Sequence, residues 1–99
     1  MSMADLVAAG APELPPGYFY RVRPKSFGLL KVEIRRQGRW LSSCVEDVCI
    51  RPANYATAER AIVAACVQAV EWWGERQADA KALAEARAFT GDHDPKGGR

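Results

Sequence analysis

The sequence predicts an α+β domain in which a three-stranded antiparallel meander packs against one long C-terminal helix. Apolar and charged residues alternate with period two from Tyr18 to about Trp40, which is the signature of half-buried strands. Gly and Pro punctuate those runs, and from about Tyr55 to Phe89 the apolar spacing changes to threes and fours, the period of a helix. The 99 residues suit one domain with a single modest core. Its expected parts are a flexible lead-in over 1–17, an α+β domain over 18–89 and a disordered tail over 90–99.

Residues 1–11 have room for one frayed helical turn, and Pro12, Pro15, Pro16 and Gly17 make a stiff, non-helical approach to the first strand. That strand places Tyr18, Tyr20 and Val22 on one side and Phe19, Arg21 and Arg23 on the other. Pro24 is expected to end it, leaving Lys25 to Gly28 as a loop. A second strand alternates Leu30, Val32 and Ile34 with Lys31, Glu33 and Arg35.

Gln37-Gly38 reads as a two-residue hairpin turn, because Gly accepts positive φ. This turn sets Arg36 opposite Arg39, Arg35 opposite Trp40, Ile34 opposite Leu41, Val32 opposite Ser43 and Leu30 opposite Val45. Val48 and Ile50 fall on the other alternation, so a bulge is expected near Glu46-Asp47 to absorb the slip. A loop at Arg51-Pro52-Ala53-Asn54 follows, with Asn54 or Thr57 as helix cap.

The helical stripe comprises Ile62, Cys66, Ala69, Val70, Trp73, Gln77, Ala80 and Ala84. A helix over 55–89 is about 52 Å long, whereas six to eight strand residues reach only about 20–27 Å. Half of it must overshoot the sheet. Two readings fit that half: a solvated, alanine-rich helix held by its propensity, or a face packed on a second copy or on residues 1–11. Gly74 is a weak point at the division.

Charge is distributed unevenly. Between Tyr18 and Trp40 stand seven Lys or Arg against one acid, Glu33, while the rest of the chain holds seven basic and eleven acidic residues. If the helix covers Tyr20, Val22, Leu30, Val32, Ile34, Leu41 and Val45, the opposite face shows Phe19, Arg21, Arg23, Lys31, Arg35 and Trp40. These six and Arg39 are the candidate nucleic-acid-binding residues, since cations neutralise phosphates and aromatics stack on bases. The bland reading is a sheet face kept polar for solubility, with Arg35 lying over Trp40 as a cation–π pair.

Other chemistry finds little support. Cys44 and Cys49 lie five apart on one strand, Cys66 belongs to the helix stripe and the sole His93 sits in the tail. A structural zinc site needs about four convergent ligands, so no metal or other cofactor is expected. Glu46 and Asp47 are adjacent and diverge on a strand, and no base is evident for Cys44, so no catalytic residue is assigned and no enzyme is expected.

An odd count of three cysteines suits a reducing cytoplasm. No secretory leader is expected, because Asp5 interrupts a short apolar start, and the run Ala61 to Val67 is far short of a membrane span. Seventeen Ala and ten Arg against four Lys suggest a GC-rich bacterial or phage genome.

The order strand–strand–strand–helix is similar to the small domains with which some integrases grip arm sites. With a short leading helix it also resembles double-stranded RNA-binding domains. The basic cluster of that second family at the start of the last helix is replaced here by Thr57, Ala58, Glu59 and Arg60. The likeness is one of topology and assigns no family.

The leading expectation is therefore a non-enzymatic module that binds nucleic acid through its basic sheet face. The alternative is a protein-interaction factor, such as a phage-encoded accessory or inhibitor protein. It would act through its long helix as a homodimer, with Trp72 and Leu83 as the partner-binding residues and Trp72 standing on the flank of the stripe.

Overall fold

The computed structural model describes residues 2–91 and carries a short helix, three strands and one long helix in that order. They are α1 (Met3–Ala8), β1 (Tyr18–Lys25), β2 (Leu29–Gln37), β3 (Ser42–Ile50) and α2 (Ala58–Arg87), with a 3-10 turn at Pro52–Asn54 before α2. The strands form an antiparallel sheet in the order β1-β2-β3. The expected meander and terminal helix are both present.

The lead-in over 1–17, expected to be flexible, is packed on the domain where it is described. Ser2 and Asp5 close a capping box on α1, Oγ of Ser2 accepting from the Asp5 N–H at 3.2 Å and Oδ2 of Asp5 from the Ser2 N–H at 3.0 Å. Leu6 and Ala11 are buried, and the Tyr20 hydroxyl donates to the Pro12 carbonyl at 2.6 Å. A Cβ at Gly10 would lie 3.4 Å from Cγ1 of Val63, so this segment meets the first half of α2 and not its overshooting end.

β1 does not stop at Pro24. It continues to Lys25, with Pro24 opposite Leu30. Because β1 is an edge strand, the missing N–H of proline can face outward without breaking the ladder.

The β2–β3 turn differs from expectation. Gln37 pairs with Ser42, Arg36 with Ser43 and Arg35 with Cys44, so residues 38–41 form the loop and Arg39-Trp40 its tip. Gly38 does not take positive φ; it is required because a Cβ there would sit 2.3 Å from the Leu41 carbonyl oxygen, which accepts the Gly38 N–H at 3.0 Å. The ladder then slips between Arg35↔Cys44 and Ile34↔Glu46, leaving Val45 as the extra residue. The expected bulge exists one residue earlier than placed, and every predicted cross-strand partner is displaced. Leu41 leaves the core and stands exposed in the loop, while Val45 only borders it.

The core lies between one sheet face and α2. Tyr20, Val32, Ile34, Val48 and Ile50 meet Ala61, Ala65, Cys66 and Ala69, with Val22, Ile62, Val70 and Trp73 at the margin. Ile34 and Val32 are fully buried, each contributing about 1.5–3 kcal/mol of transfer free energy. The deepest helix positions are Ala61, Ala65, Cys66 and Ala69; Cys66 and Ala69 belong to the predicted stripe, whereas its Ile62 and Val70 lie at the margin. Short side chains let the helix backbone approach the sheet, and the larger residues fill the flanks. Thr57 caps α2, its Oγ1 accepting from the Arg60 N–H at 3.1 Å.

α2 has 30 residues, about 45 Å, and runs past the sheet. Trp73 is its last half-buried residue, its ring 4.7 Å from that of Tyr18, and residues 74–91 are all exposed. The helix passes Gly74 without interruption. The described chain measures 63 × 32 × 25 Å.

Candidate nucleic-acid interface

Strand alternation decides what the open sheet face carries. Phe19 stands opposite Arg35, Arg21 opposite Glu33 and Arg23 opposite Lys31, so five of the seven candidate residues share that face. Lys25 extends the β1 row, and the bulge puts Cys44, Asp47 and Cys49 of β3 on the same side. Arg39 and Trp40 are not on it. They occupy the β2–β3 loop at the sheet end nearest Phe19, Trp40 is 85% exposed, and its ring lies 5.8 Å from the Arg39 guanidinium carbon. The expected stacking of Arg35 on Trp40 does not occur, because the register carries Trp40 beyond the ladder.

Glu33 is the centre of the face. Only 2% of it is exposed, although no described helix covers this side. Arg35 Nη1 pairs with its Oε2, while Lys31 Nζ at 3.7 Å and Arg23 Nε at 3.8 Å flank Oε1. Burial pushes its carboxyl group up, but the hydrogen bond and charge of Arg35, followed by Lys31 and Arg23, hold it below the ordinary carboxylate range. Arg35 also donates from Nε to Ser42 Oγ at 2.8 Å and from Nη2 to the Ser42 carbonyl at 2.9 Å. Lys31 reaches Asp47 at 3.4 Å, and this contact, with the charge of Glu33, raises its ammonium above the ordinary value.

The candidate cations therefore differ in kind. Arg35 and Lys31 are committed within the protein. Among the described residues Arg21 has only the Phe19 ring, 5.6 Å from its guanidinium carbon; Arg23 is half exposed; and Lys25 touches Cys49 Sγ at 3.8 Å. These three residues form a row on β1 about 13–14 Å long, headed by Phe19.

Lys25 escaped the sequence reading because Pro24 was expected to end the strand; the tolerance of edge strands for proline was the available signal. Phe27, 89% exposed at the β1–β2 turn with φ 63°, was also missed, and its carbonyl is held by Arg51 Nη1 at 3.0 Å.

Cys44 and Cys49 share the open face but pair with Arg35 and Lys31, four ladder positions apart. Burial, then Glu33 and Asp47, push the Cys44 thiol up, and burial raises the Cys66 thiol to about 11, the reverse of an activated nucleophile. Glu46 and Asp47 diverge as expected, Glu46 towards α2 and Asp47 towards the open face. No group of three or more His, Cys, Asp or Glu among the described residues could hold a metal ion, and His93 lies outside them.

Trp72 and Leu83 are exposed on α2 at 44% and 55%, away from the sheet face. Beside Trp72 a notch of about 230 Å³ is lined by Glu46, Glu75, Arg76 and Asp79, and Arg76 Nη2 meets Glu46 Oε1 there at 3.2 Å. No described helix is long and apolar enough to cross a membrane. No protein-family model matches the chain, and no curated protein or solved structure matches it.

Proposed function

We propose that the chain is a non-enzymatic module that binds a nucleic-acid strand along β1, on the open face of the sheet. The observation that carries this reading is the row Phe19, Arg21, Arg23 and Lys25, with an aromatic residue at its head and cations at alternate positions. A row of this kind follows a phosphate backbone, and the Phe19 ring offers a stacking surface that does not depend on base identity. Glu33 sets the limits of the row. It neutralises part of the charge of Arg23, Lys31 and Arg35 while locking Arg35 in place, so Arg21 and Lys25 are the main phosphate contacts. Arg39 and Trp40 extend the surface at one end and Phe27 at the other. Three unpaired cysteines, two of them exposed, favour a reducing cytoplasm.

The test is fluorescence anisotropy with mixed-sequence single-stranded and duplex oligonucleotides across a salt series. Wild type should bind the single strand with affinity falling as salt rises, and Arg21→Glu with Lys25→Glu should abolish binding. Equal affinity in wild type and the double variant at every salt concentration would remove the reading.

A second reading is a protein-interaction factor using α2. It is favoured by the exposure of every residue from 74 to 87, about 21 Å of helix whose one ion pair among the described residues is that of Arg76 with Glu46. A pull-down that retains a protein with Trp72→Ala or Leu83→Ser as readily as with wild type would count against it.

A further inference from the structure

We infer that two copies of this chain pair antiparallel through α2, Trp72 of each against the partner's Leu83 and Arg76 of each against the partner's Asp79. The inference rests on the second reading for the location of the surface and adds the identity of the partner. Trp72, Arg76, Asp79, Leu83 and Ala86 follow one another at spacings of four, three, four and three, so they form a single narrow stripe along the helix. All five are exposed.

The order along the stripe is apolar, positive, negative, apolar. Turned end for end, it reads apolar, negative, positive, apolar, which is its own complement. A parallel, in-register pair would instead set Arg76 on Arg76 and Asp79 on Asp79, and like charges facing each other disfavour it. An antiparallel pair is isologous, so each favourable contact occurs twice.

The protomer prepares both halves of the charge pair. Glu46, 4% exposed, holds Arg76 from beneath, and one of its oxygens, Oε2, is buried with no hydrogen-bond partner. Asp79 has no ion partner among the described residues. Lys81 and Glu85 lie on the far side of the helix; Glu75 borders the stripe beside Arg76, while Ala86 within the stripe and Ala80 at its other edge are small and let a second helix approach. The contact spans residues 72–86, about 21 Å, at the small end of specific interfaces, so the dimer should depend on concentration.

Sedimentation velocity of the full chain over a concentration series tests the pairing, with circular dichroism to verify folding. Wild type should shift from monomer to dimer. Asp79→Arg, which sets two arginine pairs face to face, and Leu83→Ser should each weaken dimerisation about tenfold or more. An equimolar mixture of Arg76→Asp and Asp79→Arg chains should restore the dimer, because each variant then supplies what the other lacks. If Arg76→Asp fails to fold after losing its contact with Glu46, Asp79→Arg and Leu83→Ser decide the matter alone. A wild type that stays monomeric, or a dimer indifferent to both, overturns the inference. A monomer that still captures a different protein through Trp72 would overturn the pairing while leaving the second reading in place.

Discussion

Glu33 and Glu46 stand on neighbouring strands, are almost equally hidden, and point to opposite faces of the sheet. Glu33 is on the open face, with cations against both carboxylate oxygens. Glu46 is on the covered face, where one oxygen accepts from Arg76 and the Asp47 N–H and the other has no hydrogen-bond partner among the described residues. The contrast separates two ways of ordering a small protein. Beneath α2, order comes from apolar packing, and a carboxylate at its edge is poorly served. On the uncovered side, order comes from a charge network that fixes Arg35 and Lys31 and leaves Arg21 and Lys25 available.

The contrast can be broken first on the covered face. Ile34→Ala should cost about 2–5 kcal/mol in urea denaturation, since a fully buried side chain leaves a cavity against Cys66 and the alanines of α2. Arg21→Ala, one position off the centre of the open face, should change stability by less than about 0.5 kcal/mol while weakening nucleic-acid binding. Equal losses for the two would mean that both faces are structural.

A smaller effect is expected within the open face itself. Arg35→Ala should cost about 1–3 kcal/mol, because Glu33 stays buried and keeps only its more distant cations. Arg23→Ala, at the exposed rim, should cost less. The reverse ranking in denaturant midpoints would show that Arg35 does not hold the network.

The smallest effect is the response to acid. The folded-state carboxyl of Glu33 is held below its ordinary value of about 4.3, so its contribution is complete above that pH and is lost as pH falls through the depressed folded value. Glu33→Gln should lower stability at neutral pH and flatten the acid limb of a midpoint-against-pH curve. An unchanged acid limb would remove Glu33 as its source.

The order of elements, the composition of both sheet faces and the overshoot of α2 were legible in the residues. Each depends on a local period or on a length, as with Arg21 and Arg23 alternating against Tyr20 and Val22. The turn was not. Gln37-Gly38 looked like a positive-φ pair, but Gly38 serves a close approach to the Leu41 carbonyl, a constraint that exists only once the chain has turned. The face assignments survived this error because the turn centre moved by two residues, which preserves side-chain sense, and the Val45 bulge supplied the later inversion. Trp40 and Leu41, however, left the sheet altogether.

What the chain by itself determined is therefore periodic: which residues share a face, and that the terminal helix exceeds the sheet it covers. Partners across strands, the burial of Glu33 and Glu46, and the choice of alanines as the closest helix contacts were decided by the assembled fold. Side-chain sense follows from local backbone geometry, whereas register and depth depend on which surfaces meet at a distance along the chain, where several arrangements satisfy the same local pattern.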